Sequence, residues 1–204
     1  MARETAKKVS IPEKSMGAKE LSFCLVILNL VLDVWGSPDF IKTACEVTRY
    51  PVGCVQSLSS QASSIGQSDQ QLALTALSVS ASRTQSCASF LKTLSQADNA
   101  VRGCVGNIDG SVDRLTQSVK ELELAGKPNE DSAMHISNAQ TWVGVAITDQ
   151  TTCQDALDGP NIDAQLKEAV RPRVMDASQA TSNALALINR FATKQEAAPP
   201  IGAP

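Results

Sequence analysis

Aromatic residues are scarce in this chain: two Trp, one Tyr and four Phe make up 3% of its 204 residues. The 43% hydrophobic content therefore rests largely on Ala, Leu and Val, and small or unbranched side chains favour close-packed helices over sheets. Charge is not segregated either. The formal net charge is −3 with no block of like sign, so there is no basic footprint for nucleic acid or an anionic lipid surface. Histidine occurs once, as His135, so any Ser/His/Asp or Cys/His arrangement must use it, and no nucleophile-elbow motif accompanies it. Cys-x-x-Cys and His-rich spacings are absent, which removes the usual basis for a zinc site. A phosphate-cradling loop is missing too, because Gly103, Gly106 and Gly110 lie inside a helical pattern and not between a strand and a helix. Asp149 and Asp155 could in principle act as an acid/base pair, but acids so placed on a helix are usually a solvated face. The expectation is a protein that is not an enzyme and takes no metal or cofactor.

Long apolar runs are also lacking. The longest, Leu21 to Leu32, follows Arg3, Lys7, Lys8, Lys14 and Lys19; it has the length of a signal-peptide core and is too short to span a membrane. Val34 and Gly36 stand at the −3 and −1 positions of a cut after Gly36, so residues 1–36 read as a signal peptide, the alternative being a buried N-terminal helix. Removal of that segment takes Cys24 with it and leaves Cys45, Cys54, Cys87, Cys104 and Cys153 in a secreted chain. An oxidising compartment then pairs four of them and leaves one over.

What remains is helical punctuation. Asp39 to Thr48 and Val52 to Ser60 read as two short helices around the Tyr50-Pro51 turn. Cys45 and Cys54 flank that turn, and a disulfide between them would contribute about 2 to 3 kcal/mol on a chain-entropy model to helices that are marginal alone. Four longer segments follow, near Ser68–Ser95, Asp98–Leu124, Glu130–Ala156 and Ile162–Lys194. The second is clearest: Val101, Cys104, Val105, Ile108, Val112, Leu115, Val119 and Leu122 recur at spacings of three and four. Leu74, Leu77, Ala81, Thr84, Ala88 and Leu91 do the same in the first. In the last, the stripe runs from Ile162 through Val174 and Thr181 to Phe191. The third is less regular, carried by Ile136, Val143 and Ile147, with Trp142 read as packing beside them. Short connectors make consecutive helices antiparallel neighbours, so the predicted fold is all-α, an up-down-up-down four-helix bundle behind a small helical hairpin. The domain spans 37–196, and 197–204 reads as a disordered Pro- and Ala-rich tail. Pro172 predicts a kink or break near Arg171.

Helix geometry also selects the second disulfide. Cys104 and Cys153 lie at about equal distances from the connector near Lys127, so they face one another in an antiparallel pair. Cys87 and Cys104 are out of step about their connector by about three residues, or 4 to 5 Å. The expected pairs are Cys45–Cys54 and Cys104–Cys153, with Cys87 a buried thiol.

Four strings carry a resemblance: FIKTACEVTRYPVGCVQSL from Phe40, SVDRLTQSVKEL from Ser111, QTWVGVAITDQTTCQDAL from Gln140 and TSNALALINRFA from Thr181. In that order they resemble the plant invertase and pectin methylesterase inhibitors, over essentially all of Phe40 to Lys194. The resemblance implies the same bundle, hairpin and two disulfides. The wording TRYP, QTW and TSNALAL is similar to the branch that inhibits pectin methylesterase; the other branch inhibits acid invertase. The domain also occurs as the pro-region of larger esterases, but this chain ends after the bundle, and an isolated inhibitor of the apoplast is expected.

Such an inhibitor works by steric occlusion, one bundle lying against the esterase's substrate cleft. The resemblance carries two contact motifs onto this chain. One is Thr-Cys-x-Asp, here Thr152, Cys153, Gln154 and Asp155; the other is a set of acids two, six and nine positions after the preceding helix's cysteine, here Gly106, Gly110 and Asp113. Two of those acids are therefore glycine in this chain. The stripe 106, 110, 113 and 117 lies about 100° from the core stripe and should face outward. By residue type alone Asp113 is a solvated surface acid, and Thr152 and Asp155 belong to a helix's last turns. A reading of a different class, a helical carrier of a small apolar ligand, requires a cavity that an Ala-, Val- and Leu-rich core does not favour. Non-reducing peptide mapping of the secreted protein is expected to recover Cys45–Cys54 and Cys104–Cys153, with Cys87 alkylated only after unfolding; a Cys87–Cys104 peptide would refute the register.

Overall fold

The computed structural model describes residues 38–94, 99–127, 131–159 and 162–197. The expected signal peptide, 1–36, lies outside them, as does the expected tail except for Ala197. Seven α-helices and one 3-10 turn are present among the described residues, and no strand: α1 Pro38–Cys45, α2 Pro51–Leu58, the turn Ser59–Gln61, α3 Ala62–Ile65, α4 Asp69–Leu94, α5 Asn99–Leu124, α6 Ser132–Leu157 and α7 Ala164–Ala197. The short helix α3 and its 3-10 lead-in were not expected from the sequence. They carry buried Ile65 into the core and end at Gly66, whose φ of 59° is a left-handed stop that favours glycine.

α1 and α2 form the hairpin. Thr48 closes the end of α1 by donating its hydroxyl to the Cys45 carbonyl at 2.7 Å, and Pro51 opens α2 at a position that needs no N–H. Cys45 and Cys54 are bonded across the turn with Cα atoms 5.7 Å apart. The hairpin is then gripped by α7. The buried Asn183 amide donates to the Tyr50 carbonyl at 3.0 Å and accepts from the Tyr50 N–H at 3.1 Å.

α4 to α7 form the bundle, each packed on its chain neighbours, with α4 closing onto α7. The core has two apolar halves. One holds Leu72, Leu77, Leu115, Leu122, Leu187 and Ile188; the other holds Leu91, Val101, Ile108, Leu157, Val170 and Val174. Between them lies a buried polar layer of Ser80, Thr84, Gln150 and Thr181. Gln150 donates to Thr181 Oγ1 at 3.0 Å and Thr84 Oγ1 at 3.3 Å, and Ser80 Oγ lies 2.7 Å from Thr181 Oγ1. The weak periodicity of the third long segment now has a cause. The buried stripe of α6 includes His135, Ala139, Ala146 and Gln150, and Ile147 is only partly buried.

α5 and α6 approach closely because small residues line their contact. Ser111 Oγ is 3.1 Å from both the Asn107 and the Ala146 carbonyl, and Ser118 Oγ is 2.9 Å from the Arg114 and 3.3 Å from the Ala139 carbonyl. Cys104 and Cys153 keep the same register and are bonded, Cα atoms 4.6 Å apart. Cys87 is a free, buried thiol, and burial pushes it up to about 11, so it stays protonated and behaves as a small apolar group. Pro172 does not break the last helix, which is continuous from Ala164 to Ala197 and so takes Ala197 from the expected tail. Pro172 and Glu168 are both exposed, so water can satisfy the carbonyl left without its helical donor.

Two outcomes follow from these contacts. Asn183→Ala leaves the Tyr50 N–H without its acceptor and is expected to cost about 1 to 3 kcal/mol in urea denaturation, with faster amide exchange at Tyr50. At the far end of α5, Glu121 Oε2 lies 2.6 Å from His135 Nδ1 and accepts from Asn138 at 3.2 Å. The His135 hydrogen bond, aided by Asn138 and opposed by burial, holds the Glu121 carboxyl below its ordinary value of 4.5. A depressed folded value means stability that is complete above the unfolded value and lost as pH falls through the folded one. Denaturation midpoints of the wild type should therefore fall with acid below pH 4.5, and Glu121→Gln should flatten that part of the profile.

Candidate functional site

The outer seam between α5 and α6 gathers the residues singled out by motif. Three contacts define it from one end to the other. Glu121 meets Asn138; the Arg114 guanidinium lies 5.1 Å from the Trp142 ring centroid; and Asp149 Oδ2 lies 3.3 Å from where a Cβ on Gly110 would stand. Helical spacing carries the α6 side of the seam on from Asp149 to Thr152.

Asp113 is exposed on α5, flanking the seam, and makes no hydrogen bond or ion pair with another described residue. Thr152 is exposed on α6 and donates its hydroxyl to the Thr148 carbonyl at 2.9 Å, and Asp155 is exposed one turn later. Cys153 between them is fully buried in its disulfide. The disulfide thus fixes the rotation of α6, directing Thr152 and Asp155 away from the core. The antiparallel register sets Asp113 and Thr152 about two helical turns apart, roughly 12 Å along the axis. They share a long surface and do not converge on one point, a layout suited to an extended protein contact and not to chemistry on one bond.

The glycines behave differently from one another. Gly106 is exposed, and a Cβ there meets nothing within 4 Å. Gly110, expected to face outward, is half-buried and turned toward α6, where Asp149 already occupies the adjacent space. Sequence reading placed Asp149 on a solvated face and missed this juxtaposition. Its only available signal was a side-chainless position nearly opposite an acid in the register set by Cys104 and Cys153. Asp109, on the same helix as Asp113, is paired with Lys92 at 2.9 Å, and Asp158 beyond the end of α6 is paired with Lys167 at 2.8 Å and with Arg171. The Lys167 hydrogen bond, with Arg171 nearby, holds Asp158 below the usual carboxylate range. Asp113, Asp149 and Asp155 make no ion pair with a described residue, so this side of the helix pair carries three unpaired carboxylates beside the cation of the seam, Arg114.

His135 is buried beside Glu121 and Asn138. The apolar crevice lined by Cys54, Leu58, Ala76 and Asn183 has a volume of about 10 Å3, room for at most one water, and the larger hollow of about 410 Å3 beside Ile136, Gln140 and Ala192 is open to the surface and not enclosed in the bundle core. Among the described residues no three His, Cys, Asp or Glu side chains are grouped as a metal site, and no helix is long and apolar enough to cross a membrane.

Comparison with known proteins places this geometry in context. Residues 39–187 match the family model described as plant invertase/pectin methylesterase inhibitor. The 21 kDa protein of Daucus carota is 41% identical over 165 residues, covering 77% of this chain and 86% of the relative. Pectinesterase inhibitor 11 of Arabidopsis thaliana is 41% identical over 165 residues, covering 76% and 82%. A crystal structure of a mutant form of a pectin methylesterase inhibitor from Arabidopsis superposes with a TM-score of 0.59 at 19% identity, covering 73% of this chain and 95% of that one, a likeness of fold. With the bundle, the hairpin and most of the chain's length all in agreement, this chain belongs to the plant invertase/pectin methylesterase inhibitor family.

Proposed function

We propose that this protein is a secreted inhibitor of plant pectin methylesterase that lays the outer seam of α5 and α6 against the enzyme and keeps pectin out of its substrate cleft. The observation that carries the reading is the set of unpaired acids on this disulfide-bonded helix pair, Asp149 in the seam and Asp113 and Asp155, with Thr152, on the exposed faces of α5 and α6 to either side of it. Relatives at 41% identity are named pectinesterase inhibitors, which supports the choice of target. A face of uncompensated carboxylates suits a partner with basic or donor groups, and charges of this kind govern association rate and selectivity more than affinity. Occlusion needs no catalytic group, only a preformed surface. One bundle per enzyme is the simplest arrangement for a contact made by one helix pair. The family description also names invertase, and an acid invertase is the alternative target.

In this reading residues 1–36 direct export, and Asp113, Thr152 and Asp155 are partner contacts. Mixing purified protein with a plant pectin methylesterase is expected to abolish demethylation near equimolar ratio, with acid invertase unaffected; inhibition of invertase alone would reassign the target. Gly106 offers a gain-of-function check. Its surroundings are open, so Gly106→Glu should tighten inhibition by roughly three- to tenfold at low salt and less at high salt, because exposed charges are screened. Gly106→Ala supplies about 1 kcal/mol of helix propensity without charge. Equal tightening by both variants at every salt concentration would mean that helix stiffness, and not charge, limits binding.

A further inference from the structure

Four acids are half-buried among the described residues: Asp69, Asp109, Glu121 and Asp149. Three are compensated. Asp69 is held by Arg190 and Lys194, each at 2.7 Å, Asp109 by Lys92 at 2.9 Å, and Glu121 by His135 at 2.6 Å. Asp149 has no hydrogen bond or ion pair with any described residue. Arg114 lies one helical turn from Gly110 along α5, but its guanidinium is engaged over the Trp142 ring. A partly desolvated carboxylate without a partner works against folding, so its place in this fold requires another explanation.

The space around Asp149 supplies one. Its Oδ2 lies 3.3 Å from the position of a Gly110 Cβ, tighter than an ordinary carbon contact, so a side chain at 110 would require the carboxylate to give by a few tenths of an ångström. With glycine there, the α6 acid reaches over the bare backbone of α5. The result is one carboxylate standing on α5's outer surface although α5 supplies no side chain at that point. Asp113 lies three residues further along the same helix, on the same side.

We infer that Asp149 is a partner-contacting residue, presented by α6 across Gly110 to receive a cationic side chain of the bound esterase. The assignment rests on the inhibitor reading. It makes Gly110 a positioning residue whose contribution is the absence of a side chain, and it makes the pair interdependent: an acid is needed at this point of the seam, from one helix or the other but not from both. A second carboxylate at 110 would stand against the first, and like charges at that distance repel.

Four full-length proteins test this, all with the native disulfides: wild type, Asp149→Asn, Gly110→Asp and the Gly110→Asp/Asp149→Asn double variant. Inhibition constants against one plant pectin methylesterase are read at low and high salt, with thermal midpoints as the control for folding. Asp149→Asn should weaken inhibition about tenfold at low salt, and the loss should shrink at high salt, while the thermal midpoint holds or rises because an uncompensated charge is gone. Gly110→Asp should not tighten inhibition. The double variant should return to within about threefold of wild type, its acid now supplied by α5. The proposal is overturned if Asp149→Asn inhibits like wild type at low salt, or if Gly110→Asp tightens inhibition while Asp149 remains. A wild type that inhibits no pectin methylesterase would remove the inhibitor reading and this assignment together, an outcome distinct from an active wild type indifferent to residue 149.

Discussion

The register of α5 against α6 is the constraint on which the rest of the structure depends. It is fixed in three places along the helices, by the Cys104–Cys153 bond and by the Ser111 and Ser118 hydroxyls reaching the Ala146 and Ala139 carbonyls. Small residues at those positions let the backbones come close enough for a hydroxyl on one helix to reach the main chain of the other. A shift by one helical turn would separate the sulfurs, strand both hydroxyls and move Gly110 away from Asp149. The covalent bond limits the unfolded chain, but the hydroxyls and small side chains are what give the folded pair one arrangement.

The rest of the bundle is assembled around that pair with a second register device. Ser80, Thr84, Gln150 and Thr181 form a polar layer in which three helices must be correctly aligned for the hydroxyls and the amide to meet. A layer of this kind adds little net stability, but misalignment leaves buried polar groups unpaired, so it acts against alternative packings. Asn183 plays the same part for the hairpin, matching both polar groups of the Tyr50 backbone. The hairpin is thus tied internally by a disulfide and externally by that amide, by Arg83 donating to Ser57 Oγ at 2.7 Å and by burial of Ile41 and Leu58 in the core.

Much of this was legible in the sequence because it depends on spacing along one helix. The stripe from Val101 to Leu122 gave α5, and the distances of Cys104 and Cys153 from their connector led to the antiparallel pairing seen here. What was illegible depends on what lies across from a residue. α6 looked irregular because its buried stripe is filled by His135, Ala139, Ala146 and Gln150, whose burial is decided by partners on other helices. Pro172 did not end the helix because a helix with an exposed proline can hand the orphaned carbonyl to water. At the site, exposure of Asp113 followed from helical phase and Thr152 and Asp155 were named through the resemblance alone, whereas the seating of Asp149 over Gly110 required the tertiary register. The two glycines, identical as sequence departures, are physically unlike: one is open surface and the other is the seat of a neighbouring acid.

The central claim is that the α5–α6 seam is the surface that meets the enzyme, and amide hydrogen exchange of the protein alone and in complex with a plant pectin methylesterase tests it most directly. Exposed helical seams exchange through local opening, and a docked partner suppresses that opening. The account predicts new protection concentrated in residues 106–117 and 145–155, with the hairpin at 38–58 little changed. Protection confined to the hairpin or to α7, with the seam exchanging as it does in the free protein, would contradict it.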